Sequence, residues 1–203
     1  MMLETLNPEY RFSSLEKITP EWMRRHHYRV LLMDIDNTLL PRNSYVVPDR
    51  HMDWLQKMQR QGIAMVLSSN NGGKRVAAIE KQLSGKGLRI PVLTWAGKPF
   101  PGAYTGALRL LEKSLPAMAD ETAERPGRIS GVVTEKPPPA GILAAGDQLF
   151  TDILGAHWYH LPAAWLRPLS GNDFIGTKAL RVLEKRVARH LAKQGILPEE
   201  DKE

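Results

Sequence analysis

The chain has 203 residues, enough for one domain with appendages, and 42% of them are hydrophobic, enough to fill a core. It contains no cysteine, which excludes disulfides, zinc–thiolate sites and thiol nucleophiles. A net charge of +6 favours anionic partners (nucleic acid, anionic lipid or a phosphorylated substrate) without choosing among them.

Residues 1–29 read as an N-terminal lead-in. No apolar run approaches the ~18 residues of a membrane span, and Met1 to Pro8 lacks a basic region followed by an apolar one, so no signal peptide is expected. Thr19-Pro20-Glu21 is a helix start: Thr as N-cap, Pro at the first helical position and Glu in the first turn. The helix should run to about Arg25. Arg24, Arg25, His26, His27 and Arg29 then cluster beside Trp22 and Tyr28. They form either a solvated lead-in or an anion-facing patch beside the active edge.

Val30 to Leu40 is the centre of the chain. An apolar run drives into Asp34-Ile35-Asp36-Asn37-Thr38, as a buried parallel strand does when polar residues sit at its C-terminal edge. Ligands bind at that edge in open α/β sheets. Two carboxylates so close repel unless a cation or a proton shares the site. Solvated turn aspartates are the alternative, and the residues downstream decide.

A helix opens at Pro48-Asp49-Arg50, with Met52, Trp54, Leu55 and Met58 as core, and ends at Gln61-Gly62. Ile63 to Leu67 predicts a second buried strand. It leads into Ser68-Ser69-Asn70-Asn71-Gly72-Gly73 and a helix over about 74–83. Small polar residues at a helix start suit anion binding, because the first N–H groups lack partners there. Pro91 to Trp95 predicts a short strand, followed by Lys98 between Gly97 and Pro99 and a helix over about 102–113.

Residues 114–140 form a long Pro-rich segment, with Val132-Val133-Thr134 as a stray edge strand. Gly141 to Ala145 predicts a fourth buried strand, ending in Gly146-Asp147-Gln148-Leu149-Phe150-Thr151-Asp152. A helix over Thr151 to about Tyr159 and a fifth strand over Ala163 to Leu166 follow. The alternation predicts an α/β fold: a doubly wound, Rossmann-like parallel sheet of about five strands with right-handed crossovers. Residues 30–175 would be its core. Residues 176–203 would be a basic amphipathic helix and an acidic tail that frays. Leu180, Leu183, Val187 and Leu191 make the apolar stripe of this helix. Lys178, Arg181, Lys185, Arg186, Arg189 and Lys193 make its basic face, with only Glu184 opposing. Either the stripe packs on the sheet or the helix lies on anionic lipid.

Four strand ends thus carry Asp34/Asp36/Thr38, Ser69/Asn70, Lys98 and Asp147/Asp152. The set resembles the haloacid dehalogenase (HAD) superfamily of phosphohydrolases. Its D-x-D-x-T motif matches Asp34 to Thr38, its strand ending in Ser or Thr matches Ser69, its lysine matches Lys98, and its G-D-x-x-x-x-D matches Gly146 to Asp152. The resemblance covers about residues 28–168, and the motif wording looks like the branch that includes phosphatidylglycerophosphate phosphatases.

The resemblance implies Mg²⁺ as cofactor. Asp34 and Asp147 would be its side-chain ligands, Asp36 a ligand through its backbone carbonyl, and Asp152 a residue of the surrounding layer. It implies Asp34 as nucleophile, Asp36 as acid/base, and Thr38, Ser69, Asn70 and Lys98 as phosphate-binding groups. The short intervals between the first three motifs leave no room for a cap domain, so the site should be open to a large or surface-bound substrate.

Phosphatidylglycerophosphate is the best single expectation. A soluble sugar, nucleotide or protein phosphate is the alternative, and a non-hydrolytic phosphoacceptor is the reading from another class. No specific nucleic acid is expected. The expected location is the cytoplasm, with peripheral contact on the inner membrane face. Oligomeric state is left open.

Overall fold

In the computed structural model, residues 4–118, 141–170 and 175–201 are described. Among the described residues, seven strands form one parallel sheet. They are β1 (Tyr10–Phe12), β2 (Val30–Asp34), β3 (Ala64–Ser68), β4 (Val92–Leu93), β5 (Ile142–Gly146), β6 (Ala163–Leu166) and β7 (Glu200–Asp201), in the order β4-β3-β2-β5-β6-β1-β7. The five adjacent strands from β4 to β6 in that order are those the hydrophobic pattern predicts.

The extra two come from segments expected to be lead-in and frayed tail. β1 pairs with β6, placing Tyr10, Arg11 and Phe12 opposite Ala164, Trp165 and Leu166. β7 then pairs with β1. The tail is pinned because Trp22 Nε1 donates to Asp201 Oδ2 at 2.8 Å and Arg11 Nη1 donates to the Pro198 carbonyl at 3.1 Å.

Successive residues of β2 point to opposite faces, as a strand requires. Leu31 and Met33 join a core that includes Trp22, Leu55 and Leu83. That core lies beneath α1 (Pro20–Arg25), α2 (Asp49–Arg60) and α3 (Lys74–Gly85). Val30 and Leu32 join the opposite core, with Leu108, Leu111, Ile153, Val187 and Leu191. Those residues belong to α4 (Gly102–Met118), a π-helical turn (Leu149–Ile153) and α6 (Ile175–Lys193), and α5 (Leu154–Trp158) lies in the same layer. Both faces of the sheet are therefore covered, which explains five-residue strands buried throughout.

The start of α1 is as predicted. The Thr19 side chain accepts from Trp22 N at 3.0 Å and Pro20 opens the helix, a cap worth about 1 kcal/mol. The basic cluster after it is not beside the active edge. It precedes Val30 at the N-terminal end of β2, whereas Asp34 closes the other end. Its aromatics turn inward: Trp22 is buried, stacks on His26 and packs on Tyr28.

The helix expected over 102–113 continues to Met118. The proposed edge strand at 132–134 lies outside the described residues. Among the described residues, no domain is inserted between β2 and β3 or between β3 and β4.

Candidate active site

Parallel pairing sets β2 in register with β3 and β5, so that Asp34 stands opposite Ser68 and Met33 opposite Ala145. All the predicted site residues therefore follow strands that end on one edge. Asp34, Asp36, Thr38, Ser69, Lys98, Asp147 and Asp152 are all buried, Asp147 and Ser69 completely. Burial of so many polar groups demands partners. Those partners divide the site in two.

On one side stand Asp34, Asp147 and Asp152, with one carboxylate oxygen from each within 4.8 Å of the others. Lys98 Nζ bridges two of them, at 2.5 Å from Asp34 Oδ1 and 2.8 Å from Asp152 Oδ1. Burial, opposed by Lys98 and reinforced by Asp152, pushes the Asp34 carboxyl up to about 7. Burial and the Asp34 charge likewise raise Asp147 well above the usual carboxylate range, against the pull of Arg181. Burial alone would lower Lys98, but the Asp152 and Asp34 charges outweigh it and raise it, so it stays an ammonium.

The other Asp152 oxygen accepts from Gln148 N at 3.1 Å, so both of its oxygens are committed to the protein. Asp34 Oδ2 and Asp147 Oδ1, in contrast, are buried and have no hydrogen-bond partner. Two unsatisfied hard oxygens beside a third carboxylate fit an oxygen-seeking divalent cation. The donor set therefore suits a metal on Asp34 and Asp147, with Asp152 as a support.

The second side belongs to Asp36. Its Oδ2 accepts from Ser69 Oγ at 3.1 Å and Asn71 Nδ2 at 2.9 Å. Arg75 Nη1 lies 2.7 Å from Oδ1, an ion-pair contact without hydrogen-bond alignment. Asp36 opens a tight turn that begins just past Asp34. Leu39 N donates to the Ile35 carbonyl, and Asn37 takes a left-handed backbone (φ 59°) that Asn tolerates better than most residues. Thr38 is buried in this turn, and its hydroxyl has no hydrogen-bond partner.

Asn70 does not point at the carboxylates. Its Oδ1 accepts from Lys98 N at 2.8 Å and its Nδ2 donates to the Lys98 carbonyl at 2.9 Å, so the side chain clamps the loop that aims Lys98. Gly146 has a steric role: a methyl group there would overlap the Asp152 carboxyl, so only glycine lets that side chain approach the end of β5.

Sequence reasoning gave no site role to Arg75, Tyr104, Arg181 or Glu184, and placed Asn71 only within the candidate anion-binding loop. Tyr104 Oη donates to the Asp152 carbonyl at 2.9 Å. Arg181 pairs with Asp147 Oδ2 and also donates to the Asp147 carbonyl at 2.7 Å. Charged residues on helices ordinarily read as a solvated face. The usable signal was Glu184, a lone acid set into the apolar stripe of a basic helix.

No family model matches the chain. A Bacillus subtilis (strain 168) protein named "Probable phosphatase YqeG" is 24% identical over 201 residues, spanning 99% of this chain and 100% of that protein. Among solved structures, the NMR structure of the core domain of "a putative phosphoglycolate phosphatase" from Streptococcus pneumoniae TIGR4 covers 77% of this chain and 96% of its own, with a TM-score of 0.38 and 17% identity.

Proposed function

We propose that this chain is a Mg²⁺-dependent phosphomonoester hydrolase that works through an aspartyl-phosphate, with a lipid phosphate, best phosphatidylglycerophosphate, as substrate. One observation carries the proposal. Two aspartates separated by one residue are held apart, Asp34 beside Lys98 with a free oxygen, Asp36 against Ser69, Asn71 and Arg75. The name of the Bacillus subtilis relative agrees with a phosphatase.

Asp34 and Asp147 would hold the Mg²⁺, with the Asp36 backbone carbonyl as the third protein ligand that the family resemblance implies. When bound, the ion would neutralise phosphate charge and orient it. Lys98 offsets the charge of Asp34 and of the incoming phosphate, so a carboxylate nucleophile can approach a dianion. Asp34 attacks phosphorus, a P–O bond forms, and the bond to the leaving oxygen breaks. Asp36 delivers a proton to that oxygen, then takes one from the water that cleaves the acyl phosphate. Ser69 and nearby N–H groups receive the phosphoryl oxygens. In the resting site the Ser69 hydroxyl serves Asp36, so it must turn to do so.

Two surface features favour a lipid. Tyr45, Val46, Trp95 and Phe100 are large, exposed apolar residues on loops that follow β2 and β4 at the active edge. The outer face of α6 carries exposed Lys185, Arg186, Arg189 and Lys193 with exposed Val182. Apolar and cationic groups together suit peripheral contact with anionic lipid. No helix among the described residues is long and apolar enough to cross a membrane.

The deciding experiment is a substrate panel with Mg²⁺, comparing phosphatidylglycerophosphate in detergent micelles with sugar phosphates and nucleotides. EDTA should abolish phosphate release and Mg²⁺ should restore it. Faster turnover of a soluble phosphate would replace the lipid assignment. No release from any monoester would sink the enzyme.

A further inference from the structure

The four motifs end before α6, yet α6 reaches the site. Val187 and Leu191 pack it on the core, while Leu183, expected in the apolar stripe, is exposed. In its place Glu184 points inward and is 2% exposed. Arg181, one turn earlier, donates from Nη1 to Glu184 Oε2 at 3.1 Å and to the Asp147 carbonyl at 2.7 Å, and from Nη2 to Asp147 Oδ2. Glu184 Oε1 in turn accepts from Leu149 N at 2.7 Å and Phe150 N at 3.5 Å. Those two amides open the π-helical turn that carries Asp152. One ion pair from α6 therefore grips both acidic residues that follow β5: Asp147 directly, Asp152 through the start of its turn.

Stability alone does not explain such a pair. A buried ion pair recovers its desolvation cost only with good geometry, and an apolar pair often serves as well. What an apolar pair cannot do is fix a carboxylate. The planar guanidinium spans the carbonyl and the side chain of the same aspartate, which one lysine ammonium could not match. With Oδ2 and the carbonyl held, the remaining Asp147 oxygen, Oδ1, is the one left without a partner.

We infer that Arg181, backed by Glu184, is a positioning residue for the divalent cation. It fixes the Asp147 carboxylate so that Oδ1 is presented as a ligand, and α6 is thereby part of the metal site. The inference rests on the Mg²⁺-dependent reading above. It also predicts that removing α6 would disable the site, so lipid contact is better tested by Glu substitutions at Arg186, Arg189 and Lys193.

The test is calorimetric titration of Mg²⁺ into the full chain, native and substituted. Partners of metal ligands typically change affinity about tenfold to a hundredfold. Arg181→Gln should weaken Mg²⁺ binding by that factor, and its turnover should recover as Mg²⁺ is raised, a rescue that a general packing defect would not show. Arg181→Lys should fall between. Mg²⁺ affinity within twofold of native in a folded Arg181→Gln protein would overturn the inference and leave the phosphatase reading standing. If Arg181→Gln fails to fold, Arg181→Lys decides: weakened Mg²⁺ binding upholds the inference and native affinity overturns it. A native chain that binds no Mg²⁺ removes both.

Discussion

Asp34 and Asp36 are separated by one residue and sit in different chemistry. Asp34 ends a strand, faces an ammonium and two further carboxylates, and keeps one buried oxygen without a partner. Asp36 lies just past the strand in a turn, and its carboxylate meets a hydroxyl, an amide and a guanidinium from the loop and helix after β3. The end of the strand at Asp34 and the turn that follows, not distance along the chain, decide which partners each one has. In the proposed mechanism the first is the nucleophile and metal ligand, and the second is the acid/base.

The difference can be broken at its stronger end. Asp34→Asn should lower phosphate release by on the order of 10⁴-fold or more, since an amide is no nucleophile. Circular dichroism should remain native. Turnover near the native rate would end the covalent route.

Gly146→Ala attacks the supporting carboxylate instead. The new methyl group would displace Asp152, which Lys98 and Gln148 hold in place, at about 1–3 kcal/mol of stability. Denaturant melts should show that loss, and Mg²⁺ titration a weaker site. Unchanged affinity would mean that Asp152 gives the metal no support.

A third test is pH. Burial raises the Asp34 carboxyl from the ordinary 3.8 to about 7. The group is therefore harder to ionise folded than unfolded, and the metal-free protein loses stability as pH climbs from about 4 to about 7. Asn cannot ionise. The melting temperature of Asp34→Asn, measured against native in EDTA, should gain steadily over that range and level off above it. A difference that does not change with pH would refute the raised carboxyl.

Much of this arrangement was legible in the sequence, for a physical reason. Buried parallel strands are continuous apolar runs, and polar residues at their ends have to be there for something, so Asp34, Ser69, Lys98 and Asp147 stood out. Thr19-Pro20 set the start of α1 because capping is local chemistry. What stayed hidden depends on contacts distant in the chain. β1 is three residues long and β7 two, too short for any period, and each exists only through its neighbour. Arg75 and Arg181 lie on helices, where a cation defaults to solvent, and only the tertiary structure brings them to Asp36 and Asp147. Asn70 and Asn71 are adjacent in one loop. Their division of labour, one clamping the Lys98 loop and one touching Asp36, follows from backbone direction, which composition does not encode.

The separate roles of the two aspartates can be tested in one experiment with Asp36→Asn, Mg²⁺ and p-nitrophenyl phosphate. Nitrophenolate leaves without a proton, so attack by Asp34 should survive while hydrolysis of the aspartyl-phosphate, which needs a base, should stall. A stopped-flow trace should show a burst of about one nitrophenolate per protein, followed by turnover slowed on the order of 10²- to 10⁴-fold. Native steady-state turnover, or slow release with no burst, would contradict the assignment of nucleophile to Asp34 and acid/base to Asp36.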